Sequence, residues 1–201
     1  MSAVWIPARW LLLIYRVSQD PPGRRTYVWR QLNQLGSIYL QQAAAVLPDR
    51  SETRMALGTL ADRIRAQDGD VSLLETTSPS VAWEVALMDR FNAARDEEYA
   101  EVVENVERFE DEIARESRKG KFTFAELEDI EADWEKLQRW RERIAVRDFF
   151  GASGRGDADA ALARGQGALE RFAAAVYRHQ GVQGNADDND AEEGITADGH
   201  D

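Results

Sequence analysis

The run Trp10-Leu-Leu-Leu-Ile-Tyr-Arg-Val17 is apolar over a strand's length, which suits a buried strand. Ser18-Gln-Asp-Pro-Pro-Gly23 stops it, since two prolines and a glycine mark a loop. The period then changes. Val28, Leu32 and Leu35 stand at i, i+4 and i+7, so Arg24 to Leu35 reads as a helix that Gly36 ends. Ser37 to Gln41 and Ala43 to Leu47 read as two short strands in a hairpin. A second helix follows from Glu52 to Gln67, with Met55, Leu57, Leu60 and Ile64 as its apolar face. Asp68-Gly-Asp70 is a turn, and Val71 to Thr77 a last strand. The order β-α-β-β-α-β over 1–79 predicts an α+β, ferredoxin-like module, with helices on one face of a four-stranded sheet.

From Thr77 onward the pattern is helical over 80–180. Ser78-Pro79 reads as an N-cap followed by proline at the first helical position. Positions 85, 88, 92, 95, 99, 102, 106, 109 and 113 form a seam that is apolar except at Asn92 and Arg95. Ser117 to Lys121 breaks it, and Thr123-Phe-Ala-Glu126 is a capping box. Leu127, Ile130, Trp134, Leu137 and Ile144 carry the next helix, giving a long antiparallel helical hairpin over 80–150. Gly151-Ala-Ser-Gly-Arg-Gly156 follows a helix rather than a strand, so it reads as a linker and not a nucleotide loop. A third helix is expected over 157–179, with Leu162, Leu169, Phe172 and Val176 on one face. The segment 181–201 has seven acidic and no basic residues and predicts a disordered acidic tail.

Charge sharpens this division. The chain of 201 residues has a net charge of −12, but residues 1–79 hold nine Arg against seven Asp and Glu. The sheet module is therefore mildly basic, and the acidity belongs to the helices and tail. With no cysteine and only His179 and His200, thiol chemistry and a histidine-rich metal site are excluded. No stretch is apolar enough to cross a membrane, so no membrane partner and a cytoplasmic protein are expected. No cofactor is implied.

The Pro-Pro-Gly-Arg-Arg loop is the best candidate site. It leads into a helix, whose free amides and dipole favour an anion. Arg24 and Arg25 add fixed charge, and Arg16 at the end of the first strand completes a candidate set for an oxyanion or phosphate. Tyr27, Trp29 and Arg30 interleave aromatic and basic groups and form a candidate DNA or partner surface. Packing of Trp29 against the long helices is the stronger expectation for that residue. The carboxylates Asp96-Glu-Glu98 and Glu110-Asp-Glu112 point to different sides of a helix and read as solvated surface. The Arg139-Trp-Arg-Glu-Arg143 stripe could meet DNA or pair with Glu135 and Glu142. His179 at a helix end reads as a dipole partner.

From Trp10 to Gln42 the sequence resembles the N-terminal domain of the ChrB chromate-resistance family. The shared features are the hydrophobic strand, the Pro-Pro-Gly-Arg-Arg loop, the Trp-containing helix ending in Leu-Gly, and the Tyr-Leu-Gln-Gln strand. The resemblance implies a part in chromate resistance, and in the fuller family a chromate-responsive transcriptional regulator. ChrB-type proteins carry a second domain after this one, and the expected partners are promoter DNA, the chromate oxyanion or, as an alternative, a separately encoded second ChrB-type domain. A more distant likeness links the chain to PaaX-type repressors and to CRISPR-associated ferredoxin-fold nucleases. The nuclease pattern has a metal-binding Asp at the end of the first strand, where Arg16 stands here. A cation there repels Mg²⁺.

The expectation is thus a non-enzymatic regulatory module without a metal site. The alternatives are a protein-interaction module and a degenerate metal-dependent nuclease relative. An exposed edge strand would also suit a homodimer.

Overall fold

Strand β1 (Arg9–Arg16) lies inside a four-stranded antiparallel sheet of order β2-β3-β1-β4. The computed structural model describes residues 8–18 and 22–192. Expectations for Gln19, Asp20 and Pro21, and for 193–201, lie outside them. The first six elements are β1, α1 (Arg24–Gln34), β2 (Ile38–Gln41), β3 (Ala44–Pro48), α2 (Ser51–Arg65) and β4 (Asp70–Thr77). They begin and end within two residues of the positions that periodicity predicts. The chain forms two compact units, one of residues 1–97 and 144–153, the other of 98–143 and 154–201.

In the first unit, residues directly opposite one another share a sheet face. Leu11, Leu13 and Tyr15 fall on one face, with Leu47 and Ala45 opposite on β3. This face meets Val28 and Leu32 of α1 and Leu57, Leu60, Ala61 and Ile64 of α2. Each fully buried leucine here contributes about 2 kcal/mol. The other face was expected to lack helices, yet Trp10 is buried on it. Its ring lies 5.8 Å from Phe91 and 5.7 Å from Phe150. Phe91 belongs to α3 (Val81–Arg118), and Phe150 follows α4 (Phe124–Arg147). Cover on both faces explains the apolar start of β1, whereas Ile14 near its end is exposed.

Two local expectations change. Ser78 does not cap α3. Ser80 does, its hydroxyl accepting the Trp83 amide at 3.3 Å, while the Ser78 hydroxyl accepts the buried Trp10 indole N–H at 3.0 Å. The start of the α3 seam also shifts: Leu87 and Phe91 are buried and Val85 is exposed. Bulky rings from 149 and 150 select that stripe.

Helix α1 ends in a Schellman motif. The Gly36 amide donates to Asn33 O at 2.9 Å and the Ser37 amide to Leu32 O at 3.1 Å. Gly36 has φ +76°, and a Cβ there would lie 2.7 Å from the Arg95 guanidinium and 2.8 Å from Arg147 Cβ. The Arg147 guanidinium itself donates to Asn33 O.

In the second unit, Val102, Val106, Phe109 and Ile113 of α3 are buried, as are Leu127, Ile130 and Trp134 of α4. The Phe109 and Trp134 rings lie 5.2 Å apart. Helix α5 (Arg155–Glu192) buries Ala158, Ala161, Ala168, Leu169, Phe172 and Val176. Leu162, expected in this face, is only half-buried. Gly165 takes the close approach instead: a Cβ there would stand 2.6 Å from the Trp134 ring. The helix was expected to end at 179 and give way to a disordered tail, but it runs on to Glu192. No proline stands between, and adding residues to an existing helix costs little. Buried Glu116 near the end of α3 meets Lys119 at 2.8 Å, Arg115 at 3.1 Å and Lys121 at 3.3 Å. These bonds hold its carboxyl down at about 2, led by Lys119 and then Arg115, against the cost of burial.

Candidate functional site

Helix α1 starts at Gly23, whose φ of +99° only glycine adopts freely, with no side-chain cap. Its first intrahelical bond runs from the Tyr27 amide to Gly23 O. No acidic residue stands in the first turn, and Arg24 and Arg25 occupy it. Cations at a helix N-terminus oppose the macrodipole, at about 0.3–1 kcal/mol each. A broken local rule of this kind belongs to strained or functional places.

The six residues singled out from the sequence do not converge. Arg16 pairs with Asp70, its partner across β1–β4. Arg24 reaches the same turn, donating to Gln67 O at 2.9 Å. Arg25 faces elsewhere and lines a groove of about 490 Å³ with Thr26 and Trp29. Trp29 was expected to pack on the long helices, but it is 52% exposed. The α1 face that packs inward is Val28 and Leu32, which leaves Trp29 on the outer side. Tyr27 is half-buried beneath the Arg63 guanidinium, 4.5 Å from the ring centre. Arg30 is exposed. Among the described residues neither Arg25 nor Arg30 forms an ion pair.

The rest of the groove comes from residues that sequence reasoning passed over. Tyr15 and Tyr39 form part of its wall, and Gln41 and Gln42 its rim at the β2–β3 turn. The two phenol oxygens are 3.3 Å apart. Burial, and after it the bond to Tyr15, pushes the Tyr39 phenol well above the ordinary 10.0. Arg90 donates to the Tyr39 carbonyl at 2.6 Å and fixes this strand end. The signal was present in the Tyr-Leu-Gln-Gln segment. It carried the family resemblance without being read as a site, because the groove joins residues from three separate elements.

The match that decides the family covers most of the chain. Residues 25–183 fit the family model described as "Protein ChrB, N-terminal".

The chain belongs to the ChrB N-terminal family.

No curated protein matches it. Membership in the ChrB family ties the chain to chromate resistance. The remaining sequence candidates do other things in this ChrB-type chain. Arg139 pairs with Glu135 along α4, whereas Arg141 reaches Asp159 of α5 rather than an intrahelical carboxylate. His179 stacks on Phe122 at 4.6 Å. Among the described residues, no three His, Asp or Glu side chains converge as a metal set, and no helix is long and apolar enough to cross a membrane.

Proposed function

We propose that this ChrB-type chain acts in chromate-responsive transcriptional regulation by contacting promoter DNA through α1. The observation that carries the reading is the charge of this helix. It holds three arginines and no acidic residue, and Arg25 and Arg30 are exposed and unpaired among the described residues. Four of the six arginines of 1–79 outside this helix are tied to carboxylates: Arg9 and Arg54 to Asp49 and Glu75, Arg16 to Asp70, and Arg65 to Asp62. A net negative chain that keeps one cationic helix clear of its own acids suits phosphate contact, with the acidic regions limiting non-specific binding.

The reading is of a binding protein in the cytoplasm, where promoter DNA is met, and not of an enzyme. We take the sheet module as ferredoxin-like, a view supported by the order β-α-β-β-α-β and the strand order β2-β3-β1-β4. A second reading has its own observation. Trp83 is 61% exposed beside a groove of about 330 Å³ formed with Ala82, Ala86, Leu87 and Arg90. That surface suits a second ChrB-type domain as partner.

Fluorescence anisotropy of a labelled promoter duplex with the full chain, over a salt series, tests the first reading. Binding should weaken steeply with salt, and Arg25→Ala with Arg30→Ala should lower both affinity and salt slope. An unchanged salt slope in that variant sinks the reading. Co-purification with the partner domain and no duplex binding favours the second.

A further inference from the structure

We propose that the groove beside α1 binds a nucleotide, with its base against Trp29 and its phosphate at Arg25. This goes beyond promoter contact, because bases stacked within a duplex cannot enter a groove. The space, about 490 Å³, is far larger than a tetrahedral oxyanion fills. Its walls are also wrong for a bare oxyanion, with Trp29, Tyr15 and Tyr39 presenting aromatic surface. An indole left 52% exposed at the edge of such a groove is a ready stacking platform.

The polar groups are placed for the two ends of a nucleotide. Gln41 and Gln42 offer two carboxamides, each with two donors and an acceptor, the complement of a base edge. Arg25 precedes Trp29 by one helical turn, so both lie on the same side of α1. Its guanidinium has no carboxylate partner among the described residues and can take a phosphate in its fork. Thr26 adds a hydroxyl beside it. Arg25 stands in the first turn of α1, which has no side-chain cap, so the positive end of the helix dipole adds to its charge.

Titration of the full chain by calorimetry, with adenosine 5′-monophosphate, adenosine and inorganic phosphate as probes, tests the proposal. The monophosphate should bind about ten-fold or more tighter than either part alone. Arg25→Ala should weaken the monophosphate about ten-fold and leave adenosine unchanged. Trp29→Ala should weaken both, and Trp29→Phe should recover most of the loss. Circular dichroism checks that the variants fold, and Gln42→Ala at the exposed turn gives an independent loss of base affinity.

A single-stranded deoxyadenosine tract that binds tighter than the monophosphate makes an unpaired strand the natural source. A tract that binds no better makes it a free nucleotide. Monophosphate binding no tighter than inorganic phosphate, or untouched by Trp29→Ala, overturns the proposal. Duplex binding is measured separately, so failure here leaves the promoter reading standing.

Discussion

The indole N–H of Trp10 donates to the hydroxyl of Ser78 at 3.0 Å, joining the start of β1 to the residue after β4 inside the first unit's core. Both groups are buried, so the bond matters chiefly through what its loss would strand. Ser78→Ala should cost about 1–3 kcal/mol by leaving the indole N–H unpaired. The same change in a Trp10→Phe background should cost much less. Urea midpoints of the four proteins check this, and equal costs in both backgrounds would disprove the coupling.

Gly36 should tolerate no side chain. Its φ of +76° and the nearness of Arg95 and Arg147 act together. Gly36→Ala is expected to lose about 1–3 kcal/mol of stability, read from the denaturation midpoint.

Glu116 should leave a mark on the acid limb of stability. Its carboxyl is held at about 2 in the folded chain, below the ordinary 4.5. The folded state therefore binds fewer protons between these values, and stability falls as pH drops from 4.5 toward 2. Glu116→Gln should be less stable at neutral pH and flatter through that window. Urea midpoints against pH for both proteins give the comparison.

Tyr39 should shape the alkaline limb. Its phenol titrates above the ordinary 10.0, so the stability it lends is complete below that pH and lost as pH rises beyond it. Tyr39→Phe should remove a late step from the near-ultraviolet titration of the chain's tyrosines.

Periodicity made the strands and helices of 9–77 legible, because proline or glycine stands at most of the boundaries, the β2–β3 turn excepted. It failed where residue size misleads. In α5 the reading favoured Leu162, whereas the buried stripe runs through Ala158, Ala161 and Gly165, small residues that let the helix approach Trp134. Ser78 looked like a cap because local grammar allows it. Only its tertiary partner Trp10 says otherwise. The candidate site was half legible. Arg25 and Trp29 share one helix, and their spacing shows in the sequence. Tyr15, Tyr39, Gln41 and Gln42 join them only through strand pairing, which no single segment encodes.

Phe149 and Phe150 close the Trp10 face of the sheet from beyond both long helices. During synthesis, the ribosome must therefore make α3 and α4 before the first unit can finish folding. Until then Trp10 lacks part of its cover, and the nascent sheet is a natural client for a chaperone. A chain halted at residue 143 should be cut by protease within 9–77 far faster than the full chain.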